Sequence, residues 1–381
     1  MAMARSLRIG LPLSLPTQAA TFMPKRLDKL WMQSTRRLTR LQKKVWKSAL
    51  RRAKDAWSTT GATPKKSQRK PANPRAGAQA ALPRLVPAWQ AQRRHLAGPG
   101  FILSYCLYKP EQGAPDGMPL LVMLHGCKQT AEDFAQGTRM NQLADKQGFA
   151  VLYPQQSTTR NATRCWRWFQ PTEAAGLREA DAIANLIRLL LASGSYDPSR
   201  VYVAGLSAGA GMSALVGLRH PDLVAAVALH SSPVVGAAQG AMGGLHTMRR
   251  GALREPIGLI DAVSAPALRE LGLPALLLHG ERDTAVGARN LRQLTAQFCH
   301  LNEVDESALA QRTVAAGTRR EHRIAELRRG GRPIVTVIEM PGLEHAWSGG
   351  DAAVPYHGGH GPQASALIWR FFRQQRRELP G

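Results

Sequence analysis

The stretch VYVAGLSAGAG, residues 201–211, decides how the rest of the chain is read. A β-branched run ends in a turn that carries Gly205, Gly209 and Gly211 around a single hydroxyl, Ser207. Such a turn either cradles a phosphate or presents a nucleophile. A phosphate loop of the G-x-x-x-x-G-K-[ST] kind needs a lysine, which this stretch lacks. A dinucleotide fingerprint needs G-x-G-x-x-G beside the first strand of a βαβ unit, and these glycines have neither the spacing nor the position. Gly205-Leu206-Ser207-Ala208-Gly209 instead fits G-x-S-x-G, with a strand over 200–204 before it and a helix from 208 after it. Small residues on both sides let the chain turn at strained dihedrals. The hydroxyl then stands clear of the sheet, and the Ala208 amide faces a developing oxyanion.

A serine hydroxyl needs a base, and the base needs an orienting acid. In this kind of site the chain order is serine, acid, histidine, each placed after its own strand. PALLLHGERDTAV puts Asp283 just past a buried-type strand, and VTVIEMPGLEHAWSGG puts His345 just past the last one. Both are expected at carboxyl ends of strands, where catalysts gather in open α/β sheets. Glu281, Asp261 and Asp351 are rival acids, and His230, His357 and His360 are rival bases, each fitting order or position less well. The second oxyanion donor is expected from the loop after an early strand, VMLHGCKQTAEDF, with the Cys127 amide beside that of Ala208.

Outward from these motifs the pattern alternates. Short apolar runs at 101–108, 119–125, 149–153, 200–204, 223–229, 274–279 and 333–340 interleave with helical periods at 173–192, 208–219, 286–298 and 362–377. Runs buried on both faces that alternate with helices predict an α/β domain with a mostly parallel sheet over 101–381. The charged stretch 300–332 reads as a surface helix or a lid between acid and base.

The charge is unevenly spread. Residues 1–100 hold 22 Lys/Arg against 2 acids, a net of +20, which leaves +5 of the total +25 for residues 101–381. The basic excess therefore belongs to one segment and does not mark the α/β domain as a nucleic-acid-binding fold. Residues 1–23 make a poor secretion signal, because their apolar middle is short and broken by Pro12 and Pro16. Within 1–57, residues 25–57 read as a basic amphipathic helix suited to a granule, an anionic membrane, nucleic acid or a partner helix. Residues 58–100, rich in Pro, Ala, Gly and Lys, read as a linker. No run of eighteen apolar residues exists, so no spanning helix is expected. Four cysteines form no CxxC and no zinc spacing, leaving one disulfide or four buried thiols open.

Several of these motifs agree with one family. LHGCKQTAEDFAQGTRMNQLADKQGFAVLYPQQS, NATRCWRWF, VYVAGLSAGAGMSALVGLRHPDLVAAVALHSS, HGERDTAV and GLEHAWSGG together resemble the poly(3-hydroxybutyrate) depolymerase family of esterases over roughly residues 100–375. That family is similar to feruloyl and acetylxylan esterases. The resemblance implies the α/β-hydrolase fold, with Ser207 as nucleophile, Asp283 as acid, His345 as base and Cys127 as oxyanion amide. It implies no metal or organic cofactor, and an extracellular setting that the N-terminus supports poorly; a cytoplasmic or granule-associated setting is the alternative. Trp166, Trp168 and Trp347 are expected to line an acyl or polyester groove. Cys127 and Cys165, both beside expected active-site loops, are candidates for a bridge in an oxidising compartment. A separate polymer-binding module is not expected after the catalytic domain. A polyester or its oligomers is the expected substrate, with a feruloyl or acetyl ester as alternative. A tethering protein with an inactive hydrolase-like domain is the non-enzymatic alternative.

Overall fold

The computed structural model describes residues 94–98, 101–110 and 117–379, so the expected helix at 25–57 and most of the expected linker lie outside the described residues. The strands run β1 Arg94–Gly98, β2 Phe101–Tyr108, β3 Met118–Leu124, β4 Ala150–Gln155, β5 Tyr196–Leu206 and β6 Ala226–His230. They continue as β7 Ala275–Gly280, β8 Gln311–Val314, β9 His322–Arg329, β10 Arg332–Met340, β11 Trp347–Ser348 and β12 His357–Gly358. Ten of them form one sheet in the order β1-β2-β4-β3-β5-β6-β7-β10-β9-β8. From β4 to β10 every neighbouring pair is parallel, and both edges are antiparallel.

The central strands are apolar without interruption because both of their faces are covered. In β3, Leu120, Val122 and Leu124 point to one layer, and Leu121 and Met123 to the other. The first layer is filled by helices α3 (Ala174–Leu191), α4 (Ala208–Arg219) and α8 (Arg289–Leu301). The second holds α1 (Ala131–Thr138), α2 (Met140–Gln147) and α9 (Ala364–Phe372). Between β6 and β7 lie α5 (Gly240–Arg250), α6 (Pro256–Asp261) and α7 (Leu268–Leu271). Among the described residues, no helix is long and apolar enough to cross a membrane.

Two expectations are corrected. Residues 94–98, assigned above to the linker, form edge strand β1 paired with β2. The stretch 300–332 is neither a surface helix nor a lid. After the end of α8 it makes a short 3-10 turn and then the strands β8 and β9, which extend the sheet beyond β10. In HRIAELRR, Ile324 enters one core layer and Leu327 the other, so the arginines and Glu326 interrupt a two-sided strand without making it a helix.

Candidate active site

The turn after β5 has the geometry a nucleophile elbow requires. Ser207 sits at φ 58°, ψ −120°, a conformation that costs a non-glycine residue about 1–3 kcal/mol and persists only where its surroundings enforce it. The surroundings do so through the two flanking glycines. A Cβ on Gly209 would stand 2.0 Å from the Leu124 carbonyl oxygen at the end of β3, and one on Gly205 would stand 2.5 Å from the Gly209 carbonyl carbon. Helix α4, buried from Ala208 through Leu218, therefore packs directly on the strand ends and drives the turn. The Ser207 amide donates to the His230 carbonyl at 2.9 Å, tying the elbow to neighbouring β6.

Asp283 follows β7 and His345 follows β10, two strands that are neighbours in the sheet. Asp283 Oδ2 accepts from His345 Nδ1 at 2.8 Å. The other carboxylate oxygen, Oδ1, accepts from the amides of Ala285 at 3.0 Å and Val286 at 2.8 Å. Burial disfavours the charge on Asp283, but the hydrogen bond and charge of His345, together with the Val286 amide, outweigh it and hold the carboxyl below its usual range. A carboxylate only accepts, so Nδ1 of His345 carries the proton of this bond and Nε2 is the nitrogen turned away from the acid. Asp283 and His345 are thus brought together. No hydrogen bond joins Ser207 Oγ to His345 among the described residues, as is common in unliganded sites.

The rival acids are engaged elsewhere. Asp261 pairs with His300, Glu281 with Arg323, and Asp351 with Arg139. His357 is buried against Gly137, and His360 is exposed.

The loop after β3 lies against the elbow: a Cβ on Gly126 would be 3.6 Å from that of Ser207. The Cys127 and Ala208 amides donate to no acceptor among the described residues, which leaves two donors free at the turn. This loop is fastened to residues 163–166 in three places. Cys127 and Cys165 form a disulfide, Lys128 donates to the Thr163 carbonyl at 2.6 Å, and Trp166 Nε1 donates to the His125 carbonyl at 3.1 Å. His125 is wholly buried, and burial lowers its pKa to about 4. Its Nε2 accepts from the Gln156 amide and from Gln155, so Nδ1 carries the proton and donates to the Gly126 carbonyl. Glu179 on α3 holds the other side, accepting from the Arg167 amide and from Gln156.

The tryptophans depart from expectation. Trp166 and Trp347 are 0% exposed and Trp168 is 5% exposed. Trp166 braces the loop after β3, Trp168 packs on Gly211 one turn beyond Ser207, and Trp347 stacks on His230. Their part here is packing behind the site, and they do not form an open groove. Gln155, Gln156 and Glu179 were not foreseen from the sequence, and His230 was foreseen only as a rival base. The signal available was a polar residue ending an apolar strand, as in AVALH and AVLYPQQ.

This constellation of elbow, paired acid and base, and bridged loop coincides with a family match: the model described as esterase PHB depolymerase matches residues 103–324. The chain belongs to this family. The matched span of the PHB depolymerase family includes Ser207 and Asp283 and stops short of His345. The chain is 30% identical over 236 residues to poly(3-hydroxyalkanoate) depolymerase C of Paucimonas lemoignei, covering 61% of this chain and 56% of that protein. It is 32% identical over 137 residues to feruloyl esterase B of Thermothelomyces thermophilus, covering 35% of this chain and 46% of that protein. The chain thus spans about half the length of these two relatives. Among solved structures, acetyl xylan esterase from Aspergillus awamori superposes with a TM-score of 0.58 at 18% identity, covering 71% of this chain and 94% of that one. The shared architecture is the α/β-hydrolase fold.

Proposed function

We propose that this member of the family is a serine esterase acting on carboxylic esters of hydroxyalkanoates, as polyester or as oligomers. The observation that carries the reading is the Asp283–His345 hydrogen bond beside a strained serine turn. Ser207 Oγ attacks the ester carbonyl while His345 Nε2 takes its proton. The tetrahedral oxyanion is met by the amides of Cys127 and Ala208. His345 then protonates the leaving alkoxide, and the acyl group stays on Ser207. Water, deprotonated by His345, attacks the acyl-enzyme and releases the acid, returning the proton to Ser207. Asp283 keeps the imidazole in the Nδ1–H tautomer and stabilises the imidazolium. The choice of hydroxyalkanoate ester rests on the likeness to the Paucimonas enzyme.

The test is a panel of hydroxybutyrate oligomers and film, p-nitrophenyl esters, and feruloyl or acetyl sugars, read with wild type and Ser207→Ala. Turnover of the oligomers, lost by at least about 10⁴-fold in Ser207→Ala, is the expected result. Unchanged turnover in the variant overturns the nucleophile. Preference for feruloyl or acetyl sugars overturns the polyester reading and leaves the esterase standing.

A further inference from the structure

The described contacts join the nucleophile turn to the base loop through one residue outside the triad. His230 ends β6, between β5, which carries the elbow, and β7, which leads to the acid. Its main chain is fixed on both sides. The carbonyl accepts from Ser207 N at 2.9 Å, and the next amide, Ser231 N, donates to Leu278 of β7 at 2.8 Å. The imidazole, 0% exposed, turns toward the loop that carries the base. Its Nε2 accepts from the Ser348 amide at 3.3 Å, and its ring stacks on Trp347 with centroids 5.3 Å apart and planes 23° apart. Trp347 is anchored in turn, because its Nε1 donates to Ser365 Oγ, which donates to the Thr138 carbonyl.

The backbone amide can only donate, so Nε2 must be the unprotonated nitrogen. Nδ1 then carries the proton and faces Ser231 Oγ at 3.2 Å. The charged and titratable neighbours that act on this ring are His279, Asp283, His345 and His357. A fully buried acceptor thus meets the base loop at Ser348, three residues beyond His345 in the chain, while its own backbone holds Ser207.

We propose that His230 is a positioning residue for the base. Its Nε2 pins the Ser348 amide, and with it the 345–348 segment, at a fixed offset from the Ser207 turn that the same residue holds through its carbonyl. Asp283 fixes one end of the His345 imidazole; His230 fixes the loop from which that imidazole hangs. Loss of the acceptor lets the loop drift, and a nucleophile–base distance not set by a direct bond in the resting site is the quantity most exposed to that drift. This assignment rests on the esterase reading above.

The test separates the acceptor from the bulk of the ring. His230→Phe keeps an aromatic ring against Trp347 and removes the acceptor, whereas His230→Gln keeps an acceptor near Nε2 and removes the ring. Expected for His230→Phe are a kcat at least about tenfold lower, a KM within about twofold of wild type, and faster hydrogen exchange at the Ser348 amide. His230→Gln should keep kcat within about threefold and keep that amide protected. Wild-type kcat in His230→Phe, or equal losses of kcat in both variants at matched melting temperature, overturns the proposal in favour of packing. If His230→Phe does not accumulate as folded protein, His230→Gln decides alone: retained kcat supports the assignment, and lost kcat with an unchanged melting temperature overturns it. If wild type turns over no ester, the esterase reading fails separately, and exchange at Ser348 still reports whether the acceptor holds the loop.

Discussion

At the scale of single residues, the site depends on atoms that cannot move independently. Asp283 uses three hydrogen bonds to hold one carboxylate and, through it, one tautomer of His345. Asp283→Asn keeps the shape but offers the wrong hydrogen-bonding pattern. It should lower kcat by about 10³–10⁴-fold with the melting temperature altered far less, measured on a p-nitrophenyl ester. Gly209→Ala should act in the opposite way. Its methyl would stand 2.0 Å from the Leu124 carbonyl oxygen, a backbone atom with nowhere to go, so about 3 kcal/mol or more of stability should be lost in denaturant titration. The strained turn at Ser207 and the strand-end positions of Asp283 and His345 were legible because each is announced by its neighbours: small residues around Ser207, and a strand ending just before Asp283 and His345. His230 was not legible as a support, because a histidine ending an apolar strand looks the same whether it faces water or a buried amide. The tryptophans misled for a related reason. Spacing near a site is visible in the sequence, and the side of the backbone that turns inward is not.

At the scale of elements, the bounds of α4 follow directly from the run of small residues after Ser207, and the parallel strands from runs buried on two faces. The β8–β9 hairpin was hidden because charged residues alternate irregularly with Ile324, Ala325 and Leu327 at the sheet edge. Two loops that the sequence treats separately, after β3 and before α3, are one unit in space, joined by the Cys127–Cys165 bridge. The bridge closes a loop with a sequence separation of 38 residues, worth about 4 kcal/mol on loop-closure grounds. Cys165→Ser should therefore lower the melting temperature. It should also reduce kcat more than it raises KM, because the Cys127 amide is proposed to meet the oxyanion only in the transition state. A variant with unchanged kcat would remove the bridge from any part in catalysis.

At the scale of the molecule, buried neutral histidines set the response to acid. Burial lowers the pKa of His125 to about 4 and that of His230 to about 3, and it also lowers those of His220, His279 and His357. Below pH of about 6.5 the unfolded chain takes up protons that the folded one refuses, so stability falls with pH. At pH 5 the fully buried His125 and His230 should each withdraw about 2 kcal/mol. Asp283, held below its usual range, extends the loss as pH falls through and below the ordinary carboxylate range. Glu179 opposes it weakly, since burial raises its pKa and lets the folded state keep a proton the unfolded state releases. Calorimetry should show a melting temperature that drops steadily from pH 7 to 5; a flat profile would contradict this account. The basic segment is a separate matter: removing residues 1–93, which carry most of the +20, should leave turnover of soluble p-nitrophenyl esters unchanged. The sheet order has one more consequence, this time for the history of each molecule. The proposed nucleophile follows β5 and the proposed base lies beyond β10, so during synthesis the residues of the elbow emerge long before the strand that brings their partner. Activity is then the last property to arrive: chains ended before β10 should turn over no ester, and full-length chains should.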